Sequence, residues 1–264
     1  MSTRAVDTTS PPTTVAAWQA LKSALGIGGV LLYEPGWGAP KVSNFAQDSV
    51  AAGGAALAAN LGIGYILDPD HLALPQLAAG GVTAMKVGVE MALESLTAIG
   101  VYTAFGSGSA GTLCFDLEES DWTADEALCR ELSAIFYEAC QGLVTPAQYG
   151  NPNLLVGISS LPAAQRCEVV WAASYPGTST WPTSTASIPQ LPDNLWNQPG
   201  QRGWQWHGGQ VVQGYDLDFD LIDFALFKAA PPPAPPAPDP APPADVTLGS
   251  GTYKLPGGAT LILP

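Results

Sequence analysis

The chain has 264 residues, 47% of them apolar and only 12% charged, which is enough for one large buried core. Its formal charge is −14, from 23 acids against 9 bases. That balance repels phosphate backbones and anionic lipid, so neither nucleic acid nor a membrane surface is an expected partner. No run of about 18 apolar residues is present to span a bilayer. Met1-Ser2-Thr3-Arg4 leads into no apolar stretch of the signal-peptide kind. Release by cell lysis or carriage in a virion is therefore the expected route out of a cell.

In chain order, Arg4-Ala5-Val6-Asp7 is a first short strand, and Ser10-Pro11-Pro12-Thr13-Thr14 is a turn ending in a helix cap. Val15 to Leu25 places Trp18, Leu21 and Leu25 on one helical face, and Gly26 to Gly29 stops it. The unbroken apolar run Val30 to Tyr33 reads as a strand buried on both sides. The alternation then repeats. Ser49 to Asn60 is an Ala-rich helix, Gly62 to Leu67 a strand and Val82 to Ile99 a helix. Thr112 to Leu117 is a strand, and Thr123 with Glu126 forms a T-x-x-E capping box for the helix that follows. Leu154 to Ile158, Glu168 to Ala173, Trp204 to Trp206 and Val211 to Asp216 are the remaining expected strands, with Leu221 to Phe227 a closing helix. Residues 176–201 carry no periodicity and read as a long loop. Strands alternating with helices imply a parallel sheet with right-handed crossovers, and eight strands favour a closed (β/α)8 TIM-like barrel, an α/β fold.

Residues 1–229 form this domain. Residues 230–244 are a Pro-rich, polyproline-type spacer, and 245–264 hold two β-prone runs around Gly257-Gly258. Twenty residues cannot build a core alone. The tail needs a partner, either the barrel or another chain such as a virion protein.

Cys114, Cys129, Cys140 and Cys167 show no CxxC pair, so no zinc or other metal site is expected. Buried free thiols are favoured over a disulfide. His71 and His207 stand alone, Gly106-Ser107-Gly108-Ser109 is no nucleophile elbow, and no P-loop or dinucleotide fingerprint occurs. No cofactor is implied.

Active sites of parallel barrels lie at the C-terminal strand ends. Acids fall there repeatedly: Asp7, Glu34, Asp68, the pair Asp116 and Glu118, and Asp216. Residues two apart on a strand share a face, with Cα atoms about 6.5–7 Å apart. Asp116 and Glu118 can thus both face the mouth while Phe115 and Leu117 pack outward. Crowded carboxylates raise one another's pKa, which keeps one protonated beside another ionised, as glycoside hydrolysis requires. The plainer alternative is a set of solvated strand ends and helix caps. Trp171, Tyr175, Trp181, Trp196, Trp204 and Trp206 crowd the last third, and Trp37 and Trp122 follow strands two and four. A Trp-lined cleft suits a glycan, although strand Trp residues also serve as core.

Ala5-Val6-Asp7, Asp116-Leu117-Glu118, Trp171-Ala172-Ala173-Ser174-Tyr175, Trp204-Gln205-Trp206 and Gly214-Tyr215-Asp216-Leu217-Asp218 occur in that order. In this the chain resembles Chalaropsis-type lysozymes (glycoside hydrolase family 25). It resembles still more closely the glycoside-hydrolase-like barrels of unknown function in actinobacteria and their phages. The resemblance spans residues 4–227. It implies binding, and hydrolysis, of peptidoglycan or another cell-wall glycan, with Glu118 as general acid and Asp7, Asp116 and Asp216 as supporting carboxylates. Glu34, Asp68, Trp171, Tyr175, Trp204 and Gln205 are the implied substrate-binding residues. Two departures stand out: no lysine precedes Tyr33-Glu34-Pro35-Gly36, and the third strand lacks a Tyr-His-Phe-like sequence. Two functions follow as expectations: a virion-borne cell-wall glycan hydrolase, or a non-catalytic adhesive barrel tethered by its tail.

Overall fold

The structure, a computed structural model, describes residues 2–33, 49–69, 71–102, 111–177, 180–228, 251–254 and 260–263. The chain divides into two units, Met1–Ala230 and Pro231–Pro264. In the first, eight strands close into a barrel in sequence order: β1 (Thr3–Thr8), β2 (Gly29–Tyr33), β3 (Gly62–Leu67), β4 (Thr112–Asp116), β5 (Thr145–Gly150), β6 (Val169–Ala173), β7 (Arg202–Val212) and β8 (Tyr215–Ile222). Helices α1 (Val15–Leu25), α2 (Ser49–Ala58), α3 (Leu74–Ala98), α4 (Glu119–Ala124), α5 (Glu126–Cys140) and α6 (Pro152–Ile158) lie between strands. The TIM-like barrel expected from the alternation is the fold.

Local chemistry sets the element ends. Thr14 caps α1 by accepting from the Ala17 N–H at 3.3 Å, and Gly26 closes it in the left-handed conformation at φ 66°. The sequence pattern starts the third helix at Val82 because Gly81, at φ 59° and ψ −152°, kinks α3 there; a turn from Leu74 precedes the kink. The expected Thr123/Glu126 capping box does not form. Thr123 lies inside α4, and Asp125 caps α5 by accepting from the Leu128 N–H at 2.9 Å.

Three expectations about the strands need correction. Leu154 to Ile158 is helical, not a strand: Asn151 accepts from the Leu154 N–H at 2.9 Å and Pro152 sits at the first helical position. The fifth strand is instead Thr145-Pro146-Ala147-Gln148-Tyr149-Gly150. Val211 to Asp216 is not a separate parallel strand. Gln213 and Gly214, at φ 54° and 86°, form a two-residue turn between paired Val212 and Tyr215, so β7 and β8 are one hairpin. Consequently β1 to β7 pair in parallel, while β8 runs antiparallel to both β7 and β1, and the barrel is not all-parallel. Leu221 to Phe227 is no helix either. Leu221 and Ile222 finish β8, and Phe227 exchanges two 2.7 Å backbone hydrogen bonds with Ile63.

Alternation along the strands creates two cores. Outward residues such as Val6, Phe115 and Leu117 pack with helix residues Trp18, Met85, Leu132 and Phe136. Inward residues Ala5, Leu31, Ile66, Cys114, Ala147 and Trp171 fill the barrel, whose lower end is plugged by Phe224 and Leu226. The plug needs glycine around it: a Cβ at Gly29 would lie 2.2 Å from Leu226 Cδ1. All four cysteines are buried free thiols. Residues 180–201 have no helix or strand, and buried Arg202 gathers them, its guanidinium donating to backbone oxygens of Ala186, Pro192, Leu195 and Trp196. Among the described residues no helix is long and apolar enough to cross a membrane.

The second unit contains β9 (Gly251–Lys254) and β10 (Thr260–Leu263), an antiparallel pair with Tyr253 opposite Leu261.

Candidate active site

The upper interior of the barrel is acidic. Inward positions at the C-terminal ends of β1 and β4 are Asp7 and Asp116, and Asp68 follows β3. Because β8 is antiparallel, it meets the mouth with its beginning. Asp218 stands opposite Asp7 and Asp220 opposite Ala5. Asp7 is 1% exposed, Asp116 4%, and Asp220 is fully buried, whereas Asp68 and Asp218 are half-buried.

Burial pushes the Asp7 carboxyl up to about 7, with the Asp218 charge adding to the effect. Burial also lifts Asp116 well above the usual carboxylate range, followed by repulsion from Asp68, Glu118 and Asp7. Asp220 is raised in the same sense, by burial and then by Asp7. Its hydrogen bonding fits a neutral acid. Oδ1 accepts from the Trp171 indole N–H at 2.9 Å, and Asp220 bonds to Asp7, stabilising the Asp7 carboxylate while raising its own pKa. A proton on Asp220 Oδ2, which otherwise lacks a partner among the described residues, satisfies both carboxyls. Asp116 Oδ1 is likewise buried without a partner among the described residues.

Gln205, on β7, ties the site together. Its Nε2 donates to Asp7 Oδ2 at 2.8 Å and to Asp218 Oδ2 at 3.2 Å. Its Oε1 accepts from the hydroxyls of Tyr149 at 2.7 Å and Tyr175 at 2.5 Å. Asp218 Oδ1 also accepts from the Gly209 N–H at 2.5 Å.

Two clefts open above this layer. One, of about 430 Å³, is lined by Glu118, Tyr149, Asn151, Tyr175 and Gln190 among others, over the ends of β4 to β6. The other, of about 420 Å³, is lined by Tyr175, Trp206, His207 and Asp218. Tyr175, 57% exposed, belongs to both.

The structure therefore brings Asp7, Asp68, Asp116, Glu118, Tyr175 and Gln205 to one end of the barrel. Glu118 is exposed at the start of α4, where Asp121 Oδ2 accepts from its backbone N–H at 2.9 Å. Asp216 lies exposed beyond the barrel on the hairpin, next to Asp218. Trp171 and Trp204 are buried, their indole N–H groups held by Asp220 and by the Ser174 carbonyl oxygen at 2.7 Å. Trp122, Trp196 and Trp206 are buried too, and half-buried Trp181 stacks on Phe219 at 5.0 Å. Apart from Trp206 and His207, the described lining of the two clefts takes its aromatic surface from tyrosine. Glu34 and Trp37 lie outside the described residues, as do Gly106 to Ser109. Sequence reasoning did not single out Tyr33, Tyr149, Asp218 or Asp220. The alternation Asp216-Leu217-Asp218-Phe219-Asp220 was the available signal for the two acids. Among the described residues no group of His, Cys, Asp and Glu is arranged to hold a metal ion.

No protein-family model matches the chain, and no curated protein matches it. Solved structures do. A Streptococcus pneumoniae protein described as the virulence factor GHIP, a glycosyl hydrolase 25 participating in host cell invasion, aligns with TM-score 0.51 at 13% identity, over 83% of this chain and 86% of that one. The catalytic domain of the endolysin ply40, from a bacteriophage of Listeria monocytogenes, gives 0.49 at 15% identity, over 84% and 93%. The modular Cpl-1 endolysin, solved with a peptidoglycan analogue, gives 0.40 at 13% identity, over 84% of this chain and 54% of that one. The barrel shares its fold with the pneumococcal glycosyl hydrolase 25.

Proposed function

We propose that the barrel mouth binds a bacterial cell-wall glycan and hydrolyses it by carboxylate acid–base chemistry. The observation that carries this reading is the 430 Å³ cleft with Glu118 on its wall, beside the buried and mutually repelling Asp116 and Asp7. Glu118 opens onto space large enough for a sugar ring, so it is the residue to protonate the glycosidic oxygen. Burial and mutual repulsion raise the carboxyls beneath it, and carboxyls pushed apart in pKa are what glycoside hydrolysis uses to divide acid from base. The fold shared with the pneumococcal glycosyl hydrolase supports the same chemistry.

A second reading, a barrel that binds glycan without cutting it, draws on the burial of Asp7 and Asp116, which keeps both away from direct contact with a sugar. Turbidity clearing and reducing-end release on purified actinobacterial cell walls separate the two. Wild-type release that disappears in a folded Glu118→Gln variant supports the hydrolase. Wall binding without release from either protein supports the binding module.

The finer part of the proposal is carriage on a phage particle of a high-GC host. The Ala-, Gly- and Pro-rich composition, the spacer at 230–244 and the terminal β9–β10 hairpin support it. A lone two-stranded hairpin is marginal in water and gains from a partner. Deleting residues 245–264 should leave the barrel folded and abolish particle association; normal incorporation of the truncated chain contradicts the tether.

A further inference from the structure

Among the described residues, four other than glycine take a positive φ: Asn60, Gln190, Trp196 and Gln213. Asparagine tolerates that backbone. Gln213 serves the turn between β7 and β8, and Trp196 is buried, its indole N–H donating to the Cys167 carbonyl oxygen at 3.0 Å. Gln190, at φ 66°, is different. It is exposed and lies on the wall of the 430 Å³ cleft that holds Glu118.

The local cause is a tight turn. The Leu191 N–H donates to the Ile188 carbonyl oxygen at 3.1 Å, with Pro189 and Gln190 at the two central positions. Proline first and a positive φ second is the type II pattern, whose second place ordinarily goes to glycine or asparagine because a Cβ is strained there. The turn is held from both flanks. Ile188 and Leu191 are each 3% exposed and packed into the outer core. The Ser174 hydroxyl donates to the Pro189 carbonyl oxygen at 3.1 Å, fastening the turn to the end of β6. Buried Arg202 donates to the carbonyl oxygens of Ala186 and Pro192, on either side of it. These contacts over-determine the backbone, which is how a glutamine is kept in a conformation it disfavours.

Folding alone favours glycine at this position. The Gln190 amide makes no hydrogen bond among the described residues, so the fold gains nothing from it. What the longer side chain adds is one carbonyl oxygen and two N–H groups, on the β6 side of a cleft whose β4 side carries Glu118. We infer that Gln190 is a ligand-contacting residue preset by the strained turn, and that its amide hydrogen-bonds an uncharged polar group of the bound chain on the side away from Glu118. The inference rests on the proposed glycan-binding function and assigns that cleft a further residue.

Two substitutions in the full-length protein separate the side chain from the turn. Gln190→Ala keeps the Cβ, and with it the strain, but removes the amide; it should melt within about 2 °C of the wild type. Gln190→Gly removes both and should melt about 1–4 °C higher, the relief of the positive φ exceeding the freedom gained by the unfolded chain. Both should pellet with purified actinobacterial cell walls about three- to tenfold more weakly than the wild type, the scale of one hydrogen bond. Greater stability with weaker binding in one variant is a combination that a merely structural residue does not give.

A Gln190→Gly protein that melts below the wild type overturns the inference, because the turn is then not strained. A loss of wall binding in only one variant overturns it too, since that traces binding to the backbone of the turn and not to the amide. Wall binding and reducing-end release by the wild type that both variants match leave the proposed function standing and remove only the inference. A wild-type protein that neither binds nor cuts cell walls removes both.

Discussion

The lower and upper halves of the barrel interior are built from the same strands in the same alternation, yet they do opposite things. Below, Leu31, Ile66, Cys114, Phe224 and Leu226 form a closed apolar layer. Above, Asp7 and Asp116 stand two residues beyond Ala5 and Cys114 on β1 and β4, and Asp220 stands two residues before Ile222 on antiparallel β8; all three are buried with raised pKa values. Strand β4 holds both in one run, Cys114 in the floor and Asp116 in the mouth. Apolar burial stabilises at about 25 cal/mol per Å². Buried carboxyls oppose folding once they ionise. The lower half holds the barrel shut, and the upper half carries a cluster that is costly to the fold and useful to chemistry.

The comparison breaks most visibly at the floor. Phe224→Ala empties a buried ring from the plug and should cost about 3–5 kcal/mol, read as a lower denaturation midpoint at unchanged m-value. A loss below 1 kcal/mol would mean that the plug is not what closes the lower end.

At the mouth the sign depends on pH. The Asp7 carboxyl is raised from 3.8 to about 7 in the folded protein. Its contribution is fully present below the unfolded pKa and is lost as pH rises through the folded one. Wild-type stability should therefore fall between about pH 4 and pH 7 on Asp7's account. Asp7→Asn, which still accepts from Gln205 and offers an N–H to Asp220, should flatten part of that slope; Asp220 retains its own share. An unchanged slope in unfolding experiments across this range contradicts the assignment.

The smallest effect lies away from both layers. Asp125→Ala removes the cap of α5 and should cost about 1 kcal/mol by thermal melting.

The sequence carried the architecture wherever a strand is an unbroken apolar run, as in Val30 to Tyr33 or Leu113 to Phe115. It failed where local chemistry is ambiguous. Strand β5 contains Pro146 and opens on Thr145, while the apolar run just after it belongs to α6. The β7–β8 turn uses Gln213-Gly214 instead of the stronger Asn-Gly or Asp-Gly signal, which hid the antiparallel strand and displaced attention from Asp218 and Asp220 to Asp216. The placement of Asp7, Asp116 and Glu118 at one end of the barrel was legible because acids at or just after the ends of apolar strands are uncommon. The Gln205 network was not legible, since it joins four separate strands and depends on Tyr149, which sits on the strand that the pattern missed.

The central claim is that the acidic layer acts on glycan while the floor only supports it. The most direct test compares reducing-end release from cell walls by Asp116→Asn and by Cys114→Ala, two changes on one strand, at matched folded fractions. Loss of release in Asp116→Asn by about 10²-fold or more, with Cys114→Ala near wild type, is the predicted result. Equal release by the two variants would place the chemistry elsewhere.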